Sequence, residues 1–391
     1  MLSNNTLLIY FGIAIIFLSI ISCSKSQDRS GHAVLHPIES NIPYHDRSHI
    51  AISKNNTDDE ENEQFGLKDY LQNPNNYPGA NLDVFSVSPF ELFIESIDES
   101  RIVILNAGSN TIIEYDLENN KESEIAILGR GPGGISNALD LTTRDNMMYV
   151  TMMDSRISVF DCSLTPCSHN KEIILEEISP YSADVNGEQV VALGMKPVTG
   201  QTSGDDALHF IPIHLFDKEG KLVKSGGESY DTDGKWMLVR PFTSGIIRFL
   251  PENPSYIVAY HRLPYLHIYD IDMNLTESYK FEDFILGKQE YFPKEGRLRT
   301  VMTDYSFINS IYLHKQSNVI VEVETRQNMR ISDNRYKWNR KSDFYIIYLN
   351  NKGFDYLGEV TFDDADSPQS VLITNHGIVE VNSDHLKWIE L

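Results

Sequence analysis

The chain reads as an all-β protein, a six-bladed β-propeller of four-stranded antiparallel blades, and three observations carry that reading. Strand-forming aromatics are abundant, with 20 Tyr and 18 Phe in 391 residues, and such residues suit a pleated, half-buried surface. Past residue 88, short alternating apolar runs are separated by Gly, Asn and Asp turns, and no stretch keeps a helical period for long. A strand ending in aromatic-Asp then recurs along the rest of the chain.

The repeat reads Ile112-Ile113-Glu114-Tyr115-Asp116, then Ile157-Ser158-Val159-Phe160-Asp161, Ile213-His214-Leu215-Phe216-Asp217 and Leu266-His267-Ile268-Tyr269-Asp270. Two degenerate copies follow, Tyr345-Ile346-Ile347-Tyr348-Leu349 and Leu386-Lys387-Trp388-Ile389-Glu390. Their last residues stand at 116, 161, 217, 270, 349 and 390, which gives spacings of 45, 56, 53, 79 and 41. A period near 45 with four strands per unit is that of propeller blades, and a β-sandwich does not predict it.

Parsed outward from the repeat, the first blade takes Phe90–Ser96, Arg101–Asn106, Thr111–Asp116 and Glu122–Leu128. The second takes Ile135–Thr143, Met147–Met152, Arg156–Asp161 and Lys171–Leu175. Turns such as Asp217–Gly220 and Asn350–Gly353 follow the third strand, where a tight hairpin needs residues tolerant of positive φ. The last copy runs out of chain after its third strand. A closed ring therefore needs a fourth strand from the N-terminal side, for which Ala33–Ile38 and Ile50–Ser53 are the candidates.

Ahead of the propeller, three segments differ in character. Leu7 to Ile21 is an apolar run of the length of a signal-peptide core and short for a membrane span. It ends in Ser19-Ile20-Ile21-Ser22-Cys23, which resembles the lipobox of bacterial lipoproteins. That resemblance implies cleavage after residue 22 and lipidation of Cys23, although no Lys or Arg precedes the apolar run. The alternative is an uncleaved anchor helix, and both place the domain outside the cytoplasm. Residues 23–80 are polar and rich in turn formers, the composition of a mobile tether, and their acidic run Asp58-Asp59-Glu60-Glu61 reads as a solvated segment rather than a calcium site. The propeller proper is expected over 81–391. After the cysteine the chain continues Ser24-Lys25-Ser26-Gln27, and by the same resemblance the absence of an acidic residue there points to the outer membrane.

A family resemblance rests on Gly129-Arg130-Gly131-Pro132-Gly133-Gly134 followed by Ser158-Val159-Phe160-Asp161. Together with the lipobox, it is similar to the TolB-like six-bladed propeller lipoproteins of Gram-negative bacteria over roughly residues 85 to 391. Gly134 stands where that family commonly has Glu. The resemblance implies a fold and a cell-envelope address, since most such proteins have no assigned activity. The loop lacks the Lys-Ser/Thr of a phosphate-binding loop and opens no helix, so it reads as a turn from an outer strand to the next inner one.

Composition excludes some functions. With 56 acidic and 33 basic residues the net charge is −23, a field that repels nucleic acid. Cys162 and Cys167 bracket a five-residue step, and in an oxidising compartment they either close a hairpin disulfide or remain two thiols. A zinc site lacks ligands there, because His169 alone lies near. No Gly-x-Ser-x-Gly elbow and no His-Glu-x-x-His occurs, so no catalytic residue, metal or cofactor is assigned. A channel-centred enzyme of the metal-dependent lactonase or glycan-lyase kind is the alternative function, with Asp140, Asp184, Asn186 and Asn309 as the polar inner-strand residues it would draw on.

The principal expectation is a binding protein. In a four-stranded blade the second-to-third and fourth-to-first connections share one face, and the long segments 195–208, 224–245, 282–306 and 325–341 all fall there. Two of them are basic within an acidic chain. Arg330, Arg335, Arg340, Arg297 and Arg299, joined by Arg130, His261 and Arg262 and by the aromatic Trp236 and Trp338, form the candidate ligand site. Guanidinium forks beside aromatic faces suit an acidic glycan or an acidic protein surface, and long loops on a rigid scaffold are where binding concentrates. The competing reading pairs these cations with Glu290, Glu295 and Asp333, so that they pin the loops.

Overall fold

The computed structural model describes residues 33–55, 66–82, 92–195, 211–251, 254–301, 303–314, 318–332, 335–362, 370–374, 376–382 and 385–390. The leader, Cys23 and the acidic run lie outside them. Six four-stranded antiparallel blades follow one another along the chain. Blade I comprises Leu92–Ser96, Arg101–Asn106, Thr111–Asp116 and Lys121–Ala126. Blade II comprises Ala138–Arg144, Met147–Met152, Arg156–Asp161 and Ser168–Ile174. Blade III is built from Ser179–Val185, Gln189–Met195, Ile213–Asp217 and Leu222–Gly226. Gly245–Phe249, Ser255–Tyr260, Tyr265–Asp270 and Leu275–Phe281 make blade IV. Blade V has Tyr305–His314, Asn318–Ser332, Arg335–Tyr348 and Gly353–Thr361. Blade VI has Ser370–Ile373, Gly377–Val381 and Leu386–Glu390.

The aromatic-Asp repeat has the same physical explanation in each of blades I to IV. The aromatic enters the core shared with the preceding blade: Tyr115 lies between blades VI and I, Phe160 between I and II, Phe216 between II and III, and Tyr269 between III and IV. All four are essentially buried. The Asp that follows points the other way along the pleat and caps the turn to the fourth strand. The Asp116 carboxylate accepts from the amides of Glu118 and Asn119, Asp161 from Ser163, Asp217 from Glu219 and Lys221, and Asp270 from Asn274, at 2.8–3.1 Å. The motif thus couples one packing function to one turn function, which is why it recurs in each of blades I to IV. Six apolar cores result, one between each pair of neighbouring blades.

The ring closes through neither expected segment. Ala80–Leu82 supplies the fourth strand of blade VI, with Ala80 opposite Trp388 and Leu82 opposite Leu386. Leu82 is buried in the core between blades VI and I. Gly79 precedes it because a Cβ there would stand 2.5 Å from the Trp388 carbonyl oxygen. The two candidate segments do form strands, but elsewhere. Val34–His36 adds to a hairpin of Gln289–Phe292 and Arg297–Thr300, and Ile50–Ile52 lies parallel to Leu275–Phe281 as a fifth strand of blade IV.

The polar segment expected to be a mobile tether is, where described, packed on the propeller. Ile42 and Tyr44 are buried in the core between blades III and IV. Tyr230 Oη meets His36 Nδ1 at 2.7 Å and accepts from the Ile38 amide at 2.8 Å. Lys54 donates to Asp343 of blade V at 2.8 Å. The helix Leu67–Gln72 inserts Leu67 and Tyr70 into the core between blades V and VI, and Tyr70 Oη donates to Glu380 at 2.7 Å. A few apolar residues at chosen places are enough to hold an otherwise polar chain, and an average over the segment hides them. No described helix is long and apolar enough to cross a membrane.

Candidate functional site

The first strand of each blade lines the central channel, and a network of charges partitions it. Arg248 of blade IV reaches Asp140 of blade II, with Nη1 to Oδ2 and Nη2 to Oδ1 both 2.7 Å. Ser182 of blade III donates to the same carboxylate and receives Arg248 Nη1 at 3.0 Å. Arg144 pairs with Asp184 at 3.0 Å, and Asp184 also accepts from the Phe249 amide at 2.8 Å. Glu95 of blade I faces the same partition, and no hydrogen bond or ion pair to its carboxylate is found among the described residues. Burial pushes its pKa up to about 8; Arg248 opposes that shift while Asp140 and Asp184 add to it.

A cavity of about 260 Å³ lies on the side of the partition from which the first strands start. Its walls include Leu92, Phe93, Leu139, Ile246, Ile311 and Leu372, and its polar groups are Glu95, Asp140, Arg248, His261, Asn309 and Ser310 with the Tyr181 and Tyr312 rings. A cavity of about 60 Å³ sits beyond the partition, lined by Thr142, Arg144, Asp184 and Thr374 among others. Of the polar residues the enzyme alternative would draw on, Asp140 and Asp184 are held by arginines. Asn309 lines the larger cavity while donating to Glu322, and Asn186 caps the turn before Gln189 rather than facing the channel. Among the described residues no three His, Cys, Asp or Glu side chains are placed to hold a metal.

Of the four long segments, residues 196–208 lie outside the described residues. The other three share one end of the blades, since each is a second-to-third or fourth-to-first connection, and their conformations differ from loops. Residues 325–341 continue the second and third strands of blade V as a long antiparallel ribbon, with Arg326 opposite Arg340 and Arg330 opposite Tyr336. Residues 282–306 contain the hairpin that takes on Val34–His36, and 224–245 contain the helix Trp236–Thr243, whose Leu238 and Phe242 are buried between blades III and IV. For Trp236, Arg330 and Arg335 the structure describes the backbone alone.

The predicted cations separate into distinct environments. Arg340 binds the buried Glu324 through Nε and Nη2, both at 2.9 Å, and Arg326 binds the same carboxylate through Nε at 2.6 Å. Arg262 stands beside Arg326 and Tyr305, half-buried; among the described residues it has no hydrogen bond or ion pair, and burial draws its pKa down. Aromatic faces surround this group: Arg326 lies 4.8 Å over Phe307, Arg340 lies 5.0 Å over Phe362, and Tyr305 meets Trp338 edge-on at 5.6 Å. Around blades IV and V, two guanidiniums therefore share one carboxylate, and Arg262 adds a third positive charge next to Arg326.

The other predicted cations do not join that group. Arg297 pairs with Glu295 and lies over Phe292, and Arg299 faces Glu290 at 3.9 Å, so these two follow the loop-pinning reading. Both are more than half exposed. Arg130 is exposed on the glycine-rich turn, whose carbonyls at 130 and 134 accept from Arg156. His261 supplies no charge: burial lowers its pKa, and its Nδ1 is 2.7 Å from the Ile308 carbonyl. It belongs to the channel cavity instead. Cys162 and Cys167 are joined by a disulfide. Arg248 escaped sequence reasoning because Ser182 and Asp140 are 66 and 108 residues away, Glu324 because it joins Arg326 to Arg340 on another strand, and Glu95 because only the ring brings it to them.

No protein-family model matches the chain, and no curated protein matches it. Among solved structures it is similar to a member of the DUF4221 family from Bacteroides vulgatus, with a TM-score of 0.50 and 10% identity over 80% of this chain and 94% of that one. It is also similar to a protein thought to be exported from Bacteroides fragilis, with a TM-score of 0.54 and 9% identity over 88% of this chain and 99% of that one. These likenesses are of fold.

Proposed function

We propose that the protein is a lipid-anchored component of the cell envelope whose long-loop face binds an acidic glycan or an acidic protein surface, without catalysis. The lipobox-like Ser19–Cys23 and the resemblance to TolB-like lipoproteins support the address. The observation that carries the binding reading is Arg262, a half-buried guanidinium with no carboxylate partner among the described residues, next to Arg326, which divides Glu324 with Arg340. Guanidiniums in excess of carboxylates and backed by aromatic rings favour an anionic, planar-faced ligand such as a uronate ring.

The test is a thermal-shift titration with polygalacturonate against neutral dextran, with and without Ca²⁺ or EDTA. Binding to the native state alone raises the melting point by mass action, about 2.7 kcal/mol at a hundredfold excess over Kd. A salt-sensitive shift from polygalacturonate, insensitive to EDTA and lost in Arg262→Gln, supports the reading. A shift from metal alone would move the function into the channel, and an unchanged shift in Arg262→Gln would remove the rim cluster from it.

A further inference from the structure

We infer that the central channel is a second binding site, distinct from the basic rim, that takes a small amphipathic ammonium ion with its charged head against Glu95 and its apolar tail along the walls of blades I, IV, V and VI. Two independent observations carry this. The first is the cavity itself, about 260 Å³, lined by the apolar Leu92, Phe93, Ile246 and Leu372 and by Glu95, Asp140 and Arg248 of the partition. Ligand sites have this combination of apolar walls and a few convergent polar groups. The volume suits a small molecule rather than a polymer.

The second is the charge count at the partition. Three carboxylates, Glu95, Asp140 and Asp184, meet two guanidiniums, Arg144 and Arg248. Asp140 is matched by Arg248 through two hydrogen bonds, and Asp184 by Arg144. Glu95 is the remainder. Ionised, it leaves the partition with one uncompensated negative charge in a desolvated place. Protonated, it is neutral and has no acceptor among the described residues. An ammonium head resolves both conditions, since it neutralises the carboxylate and supplies donors to it. An anion would meet the Glu95 and Asp140 carboxylates, so the channel and the rim select opposite charges.

The other groups facing Glu95 do not compete for this role. Arg248 and Asp140 are mutually saturated, His261 is held neutral by burial, and the Tyr181 and Tyr312 hydroxyls are kept protonated by burial. Among these groups it is Glu95 whose charge changes between pH 6 and 9, and ammonium affinity rises with its ionisation.

The experiment is calorimetric titration of the protein with n-hexylammonium and with 1-hexanol, which share a tail and differ in head charge. Hexylammonium is expected to bind at least tenfold more tightly than hexanol at pH 8, and about tenfold more tightly at pH 8 than at pH 6. Glu95→Gln is expected to remove both differences while hexanol binding stays the same. Leu372→Trp, which fills the cavity from blade VI, is expected to abolish both ligands. Equal affinity for the two probes, no binding of either, or undiminished hexylammonium binding by Glu95→Gln overturns the inference. None of these results bears on Arg262 or polygalacturonate, so the channel and rim readings fail separately.

Discussion

Arg248 on blade IV holds Asp140 on blade II by both terminal nitrogens, each at 2.7 Å, and so bridges two blades that are not neighbours in the ring. The side chains are 11% and 5% exposed. Removing one partner of such a pair strands the other in a medium that solvates charge poorly, which typically costs about 3–5 kcal/mol.

The two ways of breaking this pair are not equivalent. Arg248→Gln leaves Glu95, Asp140 and Asp184 with Arg144 alone and is expected to lose the full 3–5 kcal/mol. Asp140→Asn leaves Arg248 beside Glu95, which can ionise and compensate in part. Urea unfolding at pH 7 should therefore show Asp140→Asn as the milder variant. Equal losses would mean that Glu95 does not sense Arg248.

Glu95 also sets a pH dependence with a definite sign. Its folded-state pKa, pushed up to about 8 by burial, lies above the unfolded value near 4.5. The native state then binds more protons than the unfolded state between those values, so this group lowers stability as pH rises from about 5 to 8, by roughly 1.4 kcal/mol per pH unit at most. Glu95→Gln removes the dependence. Its stability advantage over the parent protein should be near zero at pH 4.5 and should widen up to pH 8, as read from urea midpoints at several pH values.

The disulfide hairpin ties blade II to blade I. Arg101 Nη2 donates to the Cys162 carbonyl at 2.9 Å, and the Cys167 amide donates to the buried Glu114 at 2.6 Å. Closing so short a loop restricts the unfolded chain by about 2 kcal/mol. Dithiothreitol should lower the melting point of the parent protein and leave that of a Cys162→Ser, Cys167→Ser double variant unmoved. A parent protein indifferent to reductant would show that the cross-link adds nothing beyond the Arg101 and Glu114 contacts.

Closure of the ring rests on three residues, so a single truncation there should be felt. Leu82→Ala deletes a buried side chain between blades VI and I and is expected to cost about 2–5 kcal/mol. The same substitution at the exposed Leu35 should cost less than about 0.5 kcal/mol. Parallel chemical denaturation of the two variants separates a closing strand from a loosely attached one.

The parts of the fold legible in the sequence were those fixed by local chemistry. Arg101–Asn106, Thr111–Asp116, Met147–Met152 and Arg156–Asp161 have the boundaries that alternation and the aromatic-Asp repeat predict. The closing strand was not legible, because Ala80-Asn81-Leu82 holds a single large apolar residue and takes its partner from the far end of the chain. Ala33–Ile38 and Ile50–Ser53 read as strands because they are strands, but nothing in them names a partner. The candidate site divides in the same way. Arg262 and Arg340 stood out as cations on a long-loop face, whereas the sharing of Glu324 between Arg326 and Arg340 depends on the register of Asn318–Ser332 against Arg335–Tyr348. Asp140 and Arg248 are 108 residues apart and meet through the geometry of the ring.

The route of the N-terminal segment around the rim bears on mechanical load. A pull applied ahead of residue 33 must first peel Val34–His36 from its hairpin, then draw Tyr44 out of the core between blades III and IV, then strip Ile50–Ile52 from the edge of blade IV. The helix Leu67–Gln72 is a further stop before force reaches Ala80–Leu82. The strand that keeps the ring shut is thus the last to feel tension from that end, and the anchoring contacts act as a strain relief, as the clamp on a cable spares its solder joint.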